Sequence, residues 1–401
     1  MSRLKTNYRI ATGLGIVSIF SYLTSYYVRN LLSVATPNML ADGAYTSDYI
    51  GLFSSVYFLT YALGQLINGF VGELVNPKYM IFGGLLLAGV SIIVFPFLLP
   101  VWMQIACFML MGFGLSMLRG PIMKMISENL DEKCARTVCT LLTVATFAGP
   151  LIASMFAIIF KWKAMFIFAG SLTIGIAIIT FIFLEAFEKK GIYSFERRNA
   201  DGFAGYLGLF KIDGFVFYII VGCVTEIAQS AITFWIPTYL SEALGFDNVA
   251  SNVLFSVITI ASAVAPFIAL LVFNLIKERD IVMLRAGFLI AVAAFIGMIW
   301  LPNVWMKLVL LVLAKLSLAC CSSVLWSIYV PSMGYTGKVS SINGVIDCTG
   351  YLAAAAANAV FAGMIGMSWS GVIAVWCGIS MLGLIASSIK KQKRGKENGQ
   401  N

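Results

Sequence analysis

The chain has 401 residues, of which 60% are apolar and 11% charged, with a mean hydropathy of +0.92 and a formal charge of +9. A water-soluble domain carries about 25% charged residues, so a chain this poor in charge cannot coat a soluble surface and lipid must cover it. The basic excess, 27 Lys and Arg against 18 Asp and Glu, is scattered through loops and the C-terminal end rather than gathered in a patch, which excludes a nucleic-acid binder. Histidine is absent, which removes His-based catalysis and His-ligated metal or haem. Most of the cysteines (Cys107, Cys134, Cys139, Cys223, Cys320, Cys321, Cys348 and Cys377) lie inside apolar runs, none at metal-ligand spacing, so they read as small core residues and no metal or other cofactor is expected.

Apolar runs of about 20 residues, the length that spans a hydrocarbon core of roughly 30 Å, recur along the whole chain. The first run has no small-residue cleavage site and continues into the first helix, so it reads as a span and not as a signal peptide. The pattern predicts an all-α membrane protein of about twelve transmembrane helices in two six-helix pseudo-symmetric halves. In chain order the spans are 8–36, 47–72, 79–100, 102–127, 136–160, 163–186, 213–241, 249–276, 280–301, 305–330, 338–364 and 369–389. The N-terminal half is 1–186, a polar central loop occupies 187–212, the C-terminal half is 213–390, and a basic tail fills 391–401.

Lysine and arginine in short loops set orientation. Arg3, Lys5, Arg9, Lys78, Lys133, Arg136, Lys277, Arg279 and the C-terminal Lys390, Lys391, Lys393, Arg394 and Lys396 fall on one side. The opposite loops hold Asp42, Asp48, Glu242 and Asp247, with Lys161, Lys163 and Lys307 as outnumbered exceptions. Both termini are therefore expected on the cytoplasmic face of a bacterial cytoplasmic membrane.

An ionisable residue inside a span is costly and is a functional candidate by default. Arg29, Arg119, Lys124, Glu226, Lys315 and Asp347 stand out. Arg29 shares a helix face with Tyr22 and Tyr26, and a guanidinium flanked by phenols can grip a carboxylate or phosphate through paired hydrogen bonds. The plainer alternative is a structural Arg29 paired with a carboxylate. Glu226 and Gln229 share a face of the seventh helix; Glu226 can bind a cation, carry a coupling proton or neutralise Arg29. Asp347 is a second proton-coupling candidate, or else one half of a structural pair with Lys315. Arg119 lies deep enough to face a pore, whereas Lys124 sits near a helix end and is expected to snorkel. Gly64, Gly69, Gly72, Gly112, Gly114 and Gly120 suit close helix packing. Gly112-Phe113-Gly114 lies inside an apolar helix and no Walker motif is present, so nucleotide-driven transport is not expected.

The halves resemble each other. Arg29 precedes Pro37 in the first helix at the spacing at which Gln229 precedes Pro237 in the seventh, and Gly149-Pro150 corresponds to Gly350-Tyr351. Repeats in the same order resemble the two halves of a major facilitator, which hold substrate between them near the midplane. More specifically, Tyr22 with Tyr26-Tyr27-Val28-Arg29-Asn30, Tyr61 with Gln65, Gly69-Phe70-Val71-Gly72-Glu73 through Asn76-Pro77-Lys78, Trp235-Ile236-Pro237-Thr238-Tyr239-Leu240 and Gly350-Tyr351-Leu352 resemble the organophosphate:phosphate antiporters. That branch contains the glycerol-3-phosphate and hexose-phosphate transporters. The resemblance implies a phosphate held by a first-helix arginine with its upstream tyrosines, and places Tyr351 on a site tyrosine. The chain departs from the family at the site: Gln229 replaces a second arginine, Glu226 a tyrosine and Gln65 a lysine, and the fifth-helix histidine is missing. The sialic-acid and sugar-acid symporters, which also carry a first-helix arginine, are a second relative.

These readings predict a secondary transporter, not an enzyme. It would move a small anionic or zwitterionic organic molecule by alternating access, coupled to a proton or a counter-substrate, as a monomer in lipid. Arg29, Tyr22, Tyr26, Tyr61, Gln65, Arg119, Gln229 and Tyr351 would bind substrate, and Glu226 and Asp347 would couple protons. The alternatives are a multidrug or neutral-solute exporter of the same fold and a transporter-like membrane sensor.

Overall fold

Hydrocarbon offers no hydrogen bonds, so a spanning backbone must satisfy its own N–H and C=O groups. The computed structural model, which describes residues 8–43, 45–97, 100–195, 208–276, 278–364 and 368–389, consists of helices joined by short loops, with no strand among those residues. The helices are α1 (Tyr8–Ala41), α2 (Ser47–Leu74), α3 (Pro77–Phe97, its last turn 3-10), α4 (Val101–Asn129), α5 (Glu132–Ile159) and α6 (Trp162–Lys189). They continue with α7 (215–243), α8 (248–275), α9 (Asp280–Trp300), α10 (Val304–Thr336), α11 (Val339–Gly363) and α12 (Trp369–Ile389). Among the described residues 9 helices are long and apolar enough to cross a membrane, or 10 if the bent α7 is one span. The two outside that set, α1 and α11, are diluted by polar residues, and both contribute residues singled out from the sequence. Ile158, Trp300 and Leu275 are 85%, 81% and 72% exposed, a surface that lipid covers without cost.

The helix ends match the sequence reading within a few residues except at α1, which stays helical through Pro37 to Ala41, and α10, which runs on to Thr336. Short side chains stop and start the helices. Asn76 accepts from Lys78 N at 3.2 Å with Pro77 following it, Asp131 accepts from Cys134 N at 2.8 Å, and Asp247 accepts from Ala250 N at 2.7 Å. Residues 1–7, 196–207, 277 and 390–401 lie outside the described residues, and with them Arg3, Lys5, Lys277 and the basic tail.

The chain divides into two compact units. The first comprises Met1–Tyr206 with Val330–Cys348. Within it α2 packs on α4, α3 on α4 and α6, and α1 on α5. A Cβ on Gly84 would stand 2.5 Å from the Gly114 carbonyl, so only glycine lets α3 and α4 meet at backbone distance. At the loop between α2 and α3, Lys78 Nζ lies 2.5 Å from carboxylate oxygens of both Glu185 and Glu188 on α6. Tyr193 Oη donates to Asn76 Oδ1, and Asn76 Nδ2 donates to Glu188 Oε1 at 2.9 Å.

The stretch 330–348 is held against α2 and α4 by one carboxylate. Glu73 Oε1 accepts from Ser341 N at 2.9 Å, capping the first turn of α11 with a negative charge, and Glu73 Oε2 lies 2.7 Å from Lys124 Nζ. Lys124 Nζ also donates to the Gly72 and Glu73 carbonyls at 3.3 and 3.2 Å. This corrects the expectation that Lys124 snorkels: it is 1% exposed and donates to three oxygens of Gly72 and Glu73.

The second unit comprises Leu207–Tyr329 with Thr349–Asn401. Here α9 packs on α10 and α12, and Arg285 Nη2 donates to the Ser387 carbonyl at 2.8 Å. Tyr218 on α7 stacks on Tyr329 on α10 at a centroid distance of 3.4 Å, and its hydroxyl donates to Asp280. The helix α7 carries π-helical turns at Ala228–Ile232 and Tyr239–Ala243, and its two arms are bent by 52°. Such wide turns, together with Pro237, which cannot donate to the turn before it, are recognised causes of a kink.

Removing Glu73 should therefore strand a buried ammonium. Glu73→Ala is expected to cost about 3–5 kcal/mol, and adding Lys124→Met should recover a large part of it. Thermal unfolding of the detergent-purified variants checks this. A double variant no more stable than Glu73→Ala would show that the pair does not hold the segment.

Candidate functional site

The first unit gathers most of the residues that the sequence singled out. On α1, Tyr22 and Tyr26 meet edge to face at 5.1 Å, with their hydroxyls 3.5 Å apart. One turn on, the Arg29 guanidinium lies 5.8 Å from the Tyr26 ring centroid, 5.3 Å from that of Tyr61 and 5.2 Å from that of Phe58. Three ring faces thus surround one cation, an arrangement that stabilises its charge and fixes its fork without using up its donors on a ring. Position is set partly from behind: a Cβ on Gly149 of α5 would overlap Tyr26, so that glycine lets α1 seat there.

Arg29 also forms part of a cavity of about 360 Å³ lined by polar Asn30, Ser33, Thr36, Ser54 and Tyr57 and by apolar Phe58, Phe108 and Met111. Among the buried polar atoms that lack a hydrogen-bond partner in the described residues, two lie on α2: Tyr57 Oη and Gln65 Nε2. An unsatisfied buried donor costs about 1–3 kcal/mol, and both sit within one turn of Tyr61 on α2, on the helix whose Tyr61 ring covers Arg29. The sequence reading included Gln65 and missed Tyr57. The signal was there, since Tyr57 and Tyr61 are one turn apart and their rings lie 5.8 Å apart.

A second charge centre joins α4 to the start of α11. Arg119 Nη1 lies 2.7 Å from Asp347 Oδ1, and Asn343 Nδ2 donates to Asp347 Oδ2 at 3.0 Å. Arg119 and Asp347 are 7% and 1% exposed. The charge of Arg119 reaches the Tyr22 hydroxyl, and the charges of Arg29 and Asp347 both reach that of Tyr61. Tyr22, Tyr26, Arg29, Tyr61, Arg119 and Asp347 therefore form one electrostatic cluster. The structure corrects the alternative of an Asp347–Lys315 pair: the counter-charge of Asp347 is Arg119.

Glu226, Gln229 and Tyr351 belong to the second unit. Glu226 and Gln229 are half-buried on α7, and a Cβ on Gly350 would stand 3.1 Å from the Glu226 Cβ, which brings α11 closely onto α7 next to Tyr351. Lys315 on α10 reaches the π-helical turn. Its Nζ donates to the Ala228 carbonyl at 2.9 Å, to Thr233 Oγ1 at 2.6 Å and to Gln229 Oε1 at 3.3 Å. The sequence carried no sign of this contact, because Lys315 and Gln229 are far apart in the chain and the turn that exposes the Ala228 carbonyl follows from no motif.

Against known proteins, the chain is 22% identical over 268 residues to the membrane sensor protein UhpC of Salmonella typhimurium, covering 62% of this chain and 61% of that one. It thus spans about three fifths of that relative's length. Over 76 residues, 19% of this chain and 17% of the other, it is 29% identical to a probable hexose phosphate transport protein of Chlamydia muridarum. Its fold matches the crystal structure of the fucose:proton symporter FucP of E. coli with a TM-score of 0.76, at 13% identity, over 95% of this chain and 98% of that one. Residues 18–357 match the family model described as Major Facilitator Superfamily, and the chain is an integral membrane protein that belongs to that superfamily.

Proposed function

We propose that the protein is a secondary transporter of a small organic anion or zwitterion, working by alternating access between the six-helix halves 1–186 and 213–390. The observation that carries this reading is Arg29: an intramembrane guanidinium framed by Tyr26, Phe58 and Tyr61, at the wall of a cavity whose other lining mixes hydroxyl and amide groups with apolar side chains. A neutral-solute or drug exporter has no use for a cation held in that way. Arg29 grips the acid group, and Tyr22, Tyr26, Tyr61 and Gln65 shape its surroundings. Gln229 and Tyr351 are further substrate-binding candidates. Arg119 acts on the site through its charge, being engaged by Asp347. The similarity to a hexose phosphate transport protein supports an acidic substrate. The single guanidinium of Arg29, with Gln229 and Glu226 on α7, favours monoanions or zwitterions over phosphate dianions.

The transport is coupled to a proton or a counter-substrate, with Glu226 and Asp347 as the carboxylates in play. The protein works as a monomer in the bacterial cytoplasmic membrane. Both termini and the central loop 187–212 lie on the cytoplasmic side, where Lys78, Arg136, Lys189 and Lys190 cluster at helix ends. A second reading, a transporter-like membrane sensor, is favoured by the similarity to UhpC. Flux separates the two: a sensor binds without moving solute.

In proteoliposomes, counterflow with labelled organic acids, amino acids and sugar phosphates should give specific exchange. Binding without exchange would favour the sensor, and rapid exchange of inorganic phosphate with glucose 6-phosphate would overturn the monoanion preference. Loss of the Arg29 fork removes a hydrogen bond to a charged group, worth about 1.5–3 kcal/mol, so Arg29→Ala should weaken apparent affinity roughly 10- to 150-fold. An exporter of neutral compounds would tolerate that change. Glu226→Gln should retain binding and exchange but lose accumulation driven by a pH gradient. If it accumulates as the unmodified protein does, the coupling carboxylate is Asp347.

A further inference from the structure

Among the described residues the buried cations fall into two kinds. In the first unit Lys78, Arg119, Lys124 and Arg136 each lie within 2.7 Å of a carboxylate oxygen. In the second unit Lys315 is 3% exposed, and among the described residues no carboxylate lies within 4.0 Å of it. A cation taken out of water is costly unless an opposite charge meets it. What meets Lys315 is a cradle of neutral groups: the Ala228 carbonyl, the Thr233 hydroxyl and the Gln229 side-chain amide.

That cradle suits an amine in either protonation state. As an ammonium, Nζ has three N–H donors, and the three acceptors take one each. As a neutral amine it has two donors and one lone pair. Two members of the cradle can reverse: the Thr233 hydroxyl can donate to Nζ, and the Gln229 amide, turned over, can present N–H in place of oxygen. The Ala228 carbonyl, which accepts from both Lys315 Nζ and Thr233 Oγ1 at 2.9 and 3.1 Å, keeps a donor throughout. A carboxylate partner would have no such reversal to offer. From these contacts we infer that the Lys315 amine is a proton-carrying site of the transport cycle. It takes up a proton from water on one side of the membrane and releases it to water on the other.

The charged groups around Lys315 leave it free to do so. On α7 the charge acting on it is that of Glu226, one turn before the cradle. The helix α8, which packs on α10, carries no Asp, Glu, Lys or Arg in its described span. On α9, Asp280 is engaged by the Tyr218 hydroxyl and Arg285 by the Ser387 carbonyl. On α10 itself the nearby titratable groups are Cys320 and Cys321, whose thiols face the Ala265 and Leu284 carbonyls at 3.6 and 3.8 Å. Gln229 ties the site to substrate. An acid group arriving at Gln229 is a better acceptor than the amide oxygen, so it favours the ammonium. Substrate and proton then bind together, and the linkage is reciprocal. Glu226 acts on the same proton through its charge.

This inference rests on the proton-coupled reading above, and the test separates the two. Full-length protein in proteoliposomes is given labelled D-gluconate and D-glucose 6-phosphate as probes, with and without an imposed pH gradient, and compared with Lys315→Arg and Lys315→Gln. Arginine stays charged and glutamine stays neutral, so neither can cycle. The expected result is that both variants keep counterflow, lose at least about tenfold in gradient-driven accumulation relative to the unmodified protein, and show uptake that no longer varies with pH. Accumulation by Lys315→Arg equal to that of the unmodified protein overturns the inference while leaving coupling intact. Loss of counterflow in both variants, with unfolding temperatures lowered, shows that Lys315 only supports the π-helical turn and overturns it as well. Exchange without gradient-driven accumulation by the unmodified protein removes proton coupling altogether, and this inference with it.

Discussion

In a chain covered by hydrocarbon, no polar group can be left for water to satisfy. That constraint orders the rest of the molecule. It makes the described residues helical, since a helix closes its own backbone bonds, and it makes each buried side-chain charge a structural commitment. Glu73 illustrates the result. One of its oxygens meets an ammonium and the other a backbone N–H at the start of α11, so a single carboxylate serves a side chain and a helix terminus at once. Arg119, Asp347 and Asn343 repeat the arrangement a few turns away.

The groups that depart from this rule are the informative ones. Tyr57 Oη and Gln65 Nε2 are among the buried groups left unsatisfied in the described residues, and the hydrogen-bond acceptors around Lys315 are all neutral. Stability does not explain such residues, because a well-paired or apolar replacement would cost less. They lie where the chain would have to meet something that is not itself: a solute in one unit, a proton in the other. Conformation follows the same logic. The π-helical turn at Ala228–Ile232 widens α7 and leaves the Ala228 carbonyl open to both Thr233 and Lys315.

Much of the fold was legible in the sequence, because apolar run length and loop polarity are properties of single stretches. The end of α12 at Ile389 and both ends of α9 follow from where hydropathy changes. The face shared by Tyr22, Tyr26 and Arg29 was legible too, since helical spacing dictates it. Pairings between distant helices were not. Nothing local distinguishes Arg119 from Lys315 as the counter-charge of Asp347; the choice depends on which helix packs against the start of α11. Lys124 was misread for the same reason. Its place near a helix end suggested snorkelling, but Glu73 lies across from it on α2. The extent of α10 was hidden because π and 3-10 turns carry the chain past where a regular helix would have ended.

The contact between Gly149 and Tyr26 has a consequence for how variants of this protein would be interpreted. A methyl group at Gly149 would meet the Tyr26 Cβ and the Tyr26–Tyr27 backbone, and so would push on the stretch of α1 that carries the Arg29 guanidinium. A substitution at Gly149 would then behave genetically like a lesion of the ligand pocket. A size series at that one position would probe the back wall of the site without any ligand in hand.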